Sequence, residues 1–406
     1  MAVGLKPLEK LLPVRGTRVA AAHAGLRYRK RADLAVLLAD EGTSTAAVFT
    51  RNRFAAAPVL VAREHMEKAV PRALVVNSGQ ANAGTGEPGL ALARDACAWV
   101  AGEVGCAPEQ VLPFSTGVIG VVPPSDAMRA AIPGLCSALS EDAWNEFAEA
   151  IVTTDTVPKG ISVQLSLGDA SVTLSGVAKG SGMIRPDMAT MLAFVATDAS
   201  IDTGVLQRAL SAAVDVSFNR ITVDGDTSTN DACVIMATGR AANETIDGPN
   251  HPLFEPFRAA LTEVCTTLAQ MIVRDGEGAT KFVTIKVGGG RTVDECLQVA
   301  YTIAHSPLVK TALFASDPNW GRILAAVGRA PVVDLDIDRV ELDINGVAVV
   351  RNGAVADSYS EEQGQQAMAR DEILIEVRLG AGKESAMVWT TDLSHEYVRI
   401  NAEYRS

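Results

Sequence analysis

Along the chain, short apolar runs rich in Val, Ile, Leu and Phe alternate with clusters of Gly, Pro, Asn, Asp and Ser, the pattern of strands that end in turns. It predicts strands over 33–39, 45–50, 72–77, 161–167, 171–177, 190–197, 233–238, 282–287, 339–344, 373–379 and 385–390. Between them apolar positions fall three and four residues apart, predicting helices over 89–105, 140–152, 205–218, 253–273 and 293–305. The order is not a regular strand-helix-strand repeat. Each helix must bury its apolar stripe on a sheet face, so the pattern implies an α+β protein of stacked mixed sheets covered by helices. The turn RDGEGATK at 274–281, after the longest predicted helix, suggests one domain over 1–280 and another over 281–406.

One stretch changes character at a single peptide bond. KGSGMIRPDMATMLAFVATD, from Lys179 to Asp198, begins as a loop bearing Gly, Pro and charge, and from Thr190 it becomes an apolar run that reads as a buried strand. A hydroxyl residue therefore stands at a loop-to-strand junction.

Composition narrows the classes of partner. The 406 residues are 48% hydrophobic, enough for one large or two ordinary domains with real cores. Acidic residues outnumber basic ones 48 to 36 and the Lys and Arg residues are dispersed, which argues against nucleic acid or an anionic membrane and for small solutes. Cys97, Cys106, Cys136, Cys233, Cys265 and Cys296 lie far apart with no CxxC pair, so reduced, packed thiols and a cytoplasmic location are expected. MAVGLKPLEKLLPVRG at the N-terminus has no unbroken apolar region and does not read as a secretory signal. No apolar run reaches the ~18 residues of a membrane span.

The usual catalytic signatures point elsewhere. His23, His65, His251, His305 and His395 have neither HxxxH nor HExxH spacing, so no zinc site is expected. GTGEPG at 84–89 matches GxGxxG, but a polar stretch separates it from the preceding strand and Pro88 holds its fifth position, so it reads as a turn opening a helix. VDGDTSTND at 223–231 clusters Asp224, Asp226 and Asp231 without the Gly order and downstream Glu of a calcium loop, so a hydrogen-bonded Asx-type loop is expected rather than a metal. Taken alone, STGVIG at 115–120 reads as a turn.

Thr190 offers another source of a nucleophile. A threonine at the start of a chain can use its own α-amino group as base, because that amine titrates near neutrality and lies within reach of Oγ1. Thr190 would arrive there if its Oγ1 attacked the Ala189 carbonyl, an N-to-O shift gave an ester, and water cleaved the ester. A strand threonine on its own is more often structural.

Eight blocks occur in order along the chain: NSGQANAGTG (77–86), STGVIG (115–120), TTDTVPK (153–159), KGSGMIRPDMATML (179–192), VDGDTSTND (223–231), RDGEGATK (274–281), SPLVKTALFASDPNWGR (306–322) and NAEYRS (401–406). Together they resemble the ornithine acetyltransferases, also called bifunctional glutamate N-acetyltransferases of arginine biosynthesis. Departures are mild: Gln80 stands where Asn is expected, Gly84 where Cys is frequent, and Ser406 where the family usually ends in Thr.

The resemblance implies a self-processing αββα-like sandwich with a C-terminal α/β domain. It implies cleavage between Ala189 and Thr190 into an alpha chain (1–189) and a beta chain (190–406), assembled as alpha2beta2. Thr190 is the implied nucleophile and Thr116 and Gly117 the implied oxyanion hole. Thr153, Lys179, Thr190, Glu277, Asn401 and Ser406 are the implied substrate contacts, with Thr153 and its neighbour Thr154 not separable from sequence. A zwitterionic amino acid needs a cation, an anion and neutral polar groups, and these residues supply them. The implied reaction moves acetyl from N2-acetyl-L-ornithine to L-glutamate through an acetyl-threonine, with no metal or cofactor. Acetyl-CoA as a second donor stays open. Two alternatives are a self-processing aminopeptidase or amidase of related fold, and a non-catalytic metal- or amino-acid-binding protein built on VDGDTSTND.

Overall fold

The structure, a computed structural model, describes residues 2–28, 30–185 and 191–403, and every element below belongs to them. The chain divides into two compact units, one of Pro7–Asn219 with Asp226–Ile272, the other of Met1–Lys6, Arg220–Gly225 and Val273–Ser406.

The larger unit contains strands β1 (Thr17–Ala22), β2 (Leu34–Ala39), β3 (Ser44–Phe49), β4 (Ala73–Gln80), β5 (Val111–Val118), β6 (Lys159–Leu167), β7 (Ala170–Lys179), β8 (Leu192–Thr197) and β9 (Ala232–Ala237). Its helices are α1 (Ala57–Lys68), α2 (Gly86–Val104), α3 (Ser125–Ser137), α4 (Trp144–Ala150), α5 (Thr203–Asp215) and α6 (Phe254–Arg274). A four-stranded sheet runs in the order β1-β2-β4-β5 and a five-stranded sheet in the order β3-β9-β8-β7-β6. The β4–β5 and β8–β9 pairs are parallel, the rest antiparallel.

Burial on both faces explains why several strands do not alternate in polarity. In β2, Leu34, Val36 and Leu38 pack with α2 and α3 residues such as Leu92, Val100 and Ile132. The intervening Ala35, Leu37 and Ala39 join a second cluster with Phe194 and Met236 of the other sheet. On the far side, α6 lies against β7, with Val264 and Leu268 beside Gly176, and α5 packs on β3. Helix, sheet, sheet and helix therefore stack as the sequence predicts. Between the sheets Phe194 meets Phe114 edge-on at 5.1 Å and Phe147 at 5.7 Å. Such pairs contribute roughly 0.5–1.5 kcal/mol beyond their buried area.

The smaller unit contains β10 (Phe282–Gly290), β11 (Glu341–Ile344), β12 (Val347–Arg351), β13 (Ala354–Val355), β14 (Glu372–Arg378) and β15 (Glu384–Thr391). They form one six-stranded sheet in the order β13-β12-β11-β14-β10-β15. Helices α7 (Val293–Ala304), α8 (Pro307–Phe314), α9 (Trp320–Gly328), α10 (Glu361–Met368) and α11 (His395–Ala402) complete the unit. Val283, Ile285 and Val287 of β10 pack with Cys296, Val299 and Ile303 of α7. Among the described residues no helix is long and apolar enough to cross a membrane.

The sequence reading does not anticipate α1, α3, α8, α9, α10, α11, β12 or β13, and two other strands depart from it for identifiable reasons. Residues 115–118 are not a turn: they complete β5, which pairs with β4 in register, Ser78 with Thr116 and Gly79 with Gly117. Their Ser, Thr and Gly content favours turns locally, and pairing with a distant strand overrides it. β1, TRVAAA, is too rich in alanine to register as a strand, yet it is held antiparallel to β2.

Candidate active site

β5 ends in a backbone that only glycine permits. Gly117 has φ +128°, and a Cβ there would fall 2.3 Å from the carbonyl carbon of Gly79, itself at φ +113°. The two parallel strands thus approach closely where the oxyanion residues are expected, with Thr116 nearly buried at 7% exposure. Asn230, near the end of the VDGDTSTND block, ties the same corner together: its Nδ2 donates to the carbonyls of Ala81 at 2.6 Å and Ser115 at 2.8 Å.

The facing sheet supplies Lys179. It is the last residue of β7, pairs with Leu192 of β8, and donates from Nζ to Thr116 Oγ1 at 3.0 Å. Behind it lies a buried ion pair. Asp155 Oδ1 accepts from Lys159 Nζ at 2.6 Å, with both side chains at 0% exposure. The same Asp155 oxygen accepts the Gly180 N–H at 2.7 Å, and Oδ2 accepts the Thr153 N–H at 3.0 Å. Burial by itself would raise this carboxyl, but Lys159, Lys179 and the Gly180 N–H outweigh it and hold Asp155 well below the usual carboxylate range. Thr154 Oγ1 meets Ser181 Oγ at 2.8 Å. One carboxylate therefore fixes the backbone at Thr153 and at the residue after Lys179.

Asp231, the last residue of the same block, precedes β9. Since Leu192 pairs with Ala232, Asp231 stands level with Met191 at the start of β8. Burial pushes its carboxyl well up against the pull of Ser228, Lys179 and the Met191 N–H, and among the described residues its Oδ2 has no hydrogen-bond partner.

Glu277 and Asn401 belong to the smaller unit. Glu277 sits in the turn after α6, which Asp392 braces by accepting from Thr280 N at 2.8 Å, Thr280 Oγ1 at 2.6 Å and Lys281 N at 3.0 Å. Ser394 caps α11, accepting from Tyr397 N, and donates to the Gly278 carbonyl at 2.7 Å. α11 then carries Asn401, whose Nδ2 donates to Glu277 Oε2 at 2.7 Å. Glu277 is only 8% exposed, so a hydrogen bond to its carboxylate offsets part of the burial cost. Lys310 donates to Thr390 Oγ1 at 3.1 Å, and burial pushes it down to about 8 despite Asp392 and Asp224.

Thr116, Gly117, Thr153 and Lys179 are thus brought together in the larger unit, and Glu277 pairs with Asn401 in the smaller one. Ala189, Thr190 and Ser406 lie outside the described residues. Among the described residues no three His, Cys, Asp or Glu side chains cluster as a metal site requires.

The profile of the ArgJ family matches residues 18–406. The chain belongs to the ArgJ family. Relatives called arginine biosynthesis bifunctional protein ArgJ match it end to end. The protein from Pseudomonas fluorescens is 52% identical over 406 residues, covering 100% of both chains. That from Psychrobacter arcticus is 53% identical over 407, again covering 100% of both. A solved arginine biosynthesis bifunctional protein argJ from Bacillus halodurans is 44% identical with TM-score 0.50, covering 52% of this chain and 99% of that one. This membership makes the chain an enzyme and removes the reading of a non-catalytic binding protein built on residues 223–231.

Sequence reasoning alone does not pick out Asp155, Lys159, Asn230 or Asp392. The first three lie inside blocks that carry the family resemblance, but no local spacing signals their roles. Asn230 reaches a backbone carbonyl 149 residues away at Ala81, Asp392 binds Thr280 and Lys281, 112 and 111 positions away, and the Asp155–Lys159 pair gains its weight only from burial.

Proposed function

We propose that this ArgJ-family enzyme transfers acetyl from N2-acetyl-L-ornithine to L-glutamate in arginine biosynthesis, through an ester on Thr190 exposed by cleavage after Ala189. The observation that carries the reading is the corner of β5: a threonine hydroxyl held by a lysine, next to a glycine whose backbone admits no side chain. Such a pair can donate two hydrogen bonds to a tetrahedral oxyanion, each typically contributing about 3 kcal/mol.

In this scheme the α-amine of Thr190 takes the proton from Oγ1 as Oγ1 attacks the acetyl carbonyl. Thr116 and Gly117 hold the oxyanion, the C–N bond breaks, and ornithine leaves with a proton on its nitrogen. Glutamate then attacks the ester and departs as N-acetylglutamate. One amide is exchanged for a similar one, so the chemistry draws on no cofactor. Acetyl-CoA would load the same threonine as a second donor. The resemblance assigns Thr153, Lys179, Thr190, Glu277, Asn401 and Ser406 to the substrate, and Glu277 with Asn401 has the charge and polarity that an amino acid's ammonium calls for.

Cleavage is supported by the solved Bacillus halodurans chain, matched over 99% of its own length by 52% of this one. Residues 190–406, 217 of the 406, would be about 53% of the chain. We further place the enzyme in the cytoplasm as an alpha2beta2 assembly, a location that suits six cysteines left unpaired.

Intact mass and acetyl transfer on wild type and Thr190→Ala test the proposal together. Wild type should yield two fragments meeting at Ala189 and Thr190 and should form N-acetylglutamate. Thr190→Ala should remain one inactive chain. An unbroken, fully active wild type would refute it, as would release of free acetate as the dominant reaction, the outcome expected of an amidase.

A further inference from the structure

The family resemblance makes Lys179 a substrate contact, but the geometry points to a different task. We propose that Lys179 is a positioning residue of the oxyanion hole: it orients the Thr116 hydroxyl, and the Asp155–Lys159 pair holds it there. The assignment rests on the acetyl-transfer reading above and deepens it.

An ammonium has three N–H groups and no acceptor, so in the 3.0 Å contact Lys179 Nζ donates and Thr116 Oγ1 accepts. With a lone pair of that oxygen engaged, the hydroxyl proton must point away from the lysine. A freely rotating hydroxyl becomes a directed donor, which is what a developing oxyanion requires. The positive charge also polarises the O–H bond, and both partners are almost excluded from water, Lys179 at 9% and Thr116 at 7% exposure.

The backbone on both sides of this contact is fixed. Thr116 belongs to a strand whose register is set by close packing at Gly117 on Gly79. Lys179 ends β7, and the next peptide is bound through Gly180 N to Asp155 at 2.7 Å. Asp155 is already engaged: Lys159 and the N–H groups of Gly180 and Thr153 bind its two oxygens. Of the acids among the described residues, Asp155 is bound to these other donors, and burial drives Asp231 toward its neutral form.

A carboxylate contact and a positioning role predict different kinetics. Loss of a group that binds substrate equally in ground and transition states raises KM, whereas loss of oxyanion stabilisation lowers kcat. The experiment compares wild type, Lys179→Met, Lys179→Arg, Thr116→Ala and the Lys179→Met/Thr116→Ala double variant, following acetyl transfer from N-acetylornithine and self-cleavage by intact mass. Lys179→Met should lower kcat by about 30-fold or more with KM changed less than about threefold, and Lys179→Arg should recover part of the loss. In the Thr116→Ala background the same substitution should have little further effect, because the group it orients is gone. Where a variant processes too slowly for turnover assays, its cleavage rate is read in the same cycle, with the same non-additivity expected. A tenfold rise in KM at unchanged kcat would overturn the assignment, as would fully additive losses in the double variant. Wild type run in parallel separates the two claims. Transfer by wild type together with a KM-type Lys179→Met defeats the positioning role alone. No transfer by wild type defeats the proposed function and this assignment with it.

Discussion

Asp155→Asn removes one charge from an ion pair that water does not reach. The wild-type carboxylate takes three donors, and both side chains of the pair are fully buried. An asparagine can present its oxygen toward Lys159 and Gly180, or toward Thr153, but not both. In either orientation its NH2 group faces a donor. Lys159 keeps the Val157 carbonyl at 3.3 Å and loses its counter-charge. Removing one partner of a buried pair costs about 3–5 kcal/mol, and the retained oxygen places this case near the lower end. The melting temperature should fall by roughly 2–4 °C per kcal/mol, or about 6–12 °C in all.

The pH dependence follows from the direction of the shift. Asp155 titrates lower folded than unfolded, so its contribution is fully present above the unfolded value of about 3.9 and is lost as pH falls through the folded one. The gap between wild type and variant should be constant from about pH 5 to 8 and close in acid. Calorimetry across that range checks it. A loss below about 1 kcal/mol at neutral pH, or a gap that widens in acid, would refute the claim that this pair is structurally committed.

Two further substitutions probe the frame of the site. Gly117→Ala should abolish cleavage and transfer, by at least about a hundredfold, because its Cβ would lie 2.3 Å from Gly79. Gly120→Ala, at φ +85° with nothing within 4 Å, should cost only about 1 kcal/mol of backbone strain and serves as control; equal effects in the two assays would defeat the close-approach argument. Phe194→Ala, at the centre of the inter-sheet aromatics, should lower urea stability by about 3–5 kcal/mol. A loss under about 1.5 kcal/mol would mean those rings do not hold the sheets together.

Much of this protein is local and therefore legible in its amino acids. Strands such as 34–39, 159–167 and 372–378 and helices such as 254–274 lie close to where apolar spacing puts them, because burial of a face imposes a period on the chain itself. The residue types of the site, and their resemblance to one family, are likewise written in order along the sequence. What it leaves undecided is pairing across distance. Thr116 accepts from a lysine 63 positions away. Residues 115–118 become strand only because β4 lies beside them. Asn230 finds its acceptors at Ala81 and Ser115, and the weight carried by Asp155 depends on burial that no spacing reveals. Periodicity records which face of an element avoids water. Which faces meet, and which polar groups they strand together away from solvent, is settled only when the sheets pack.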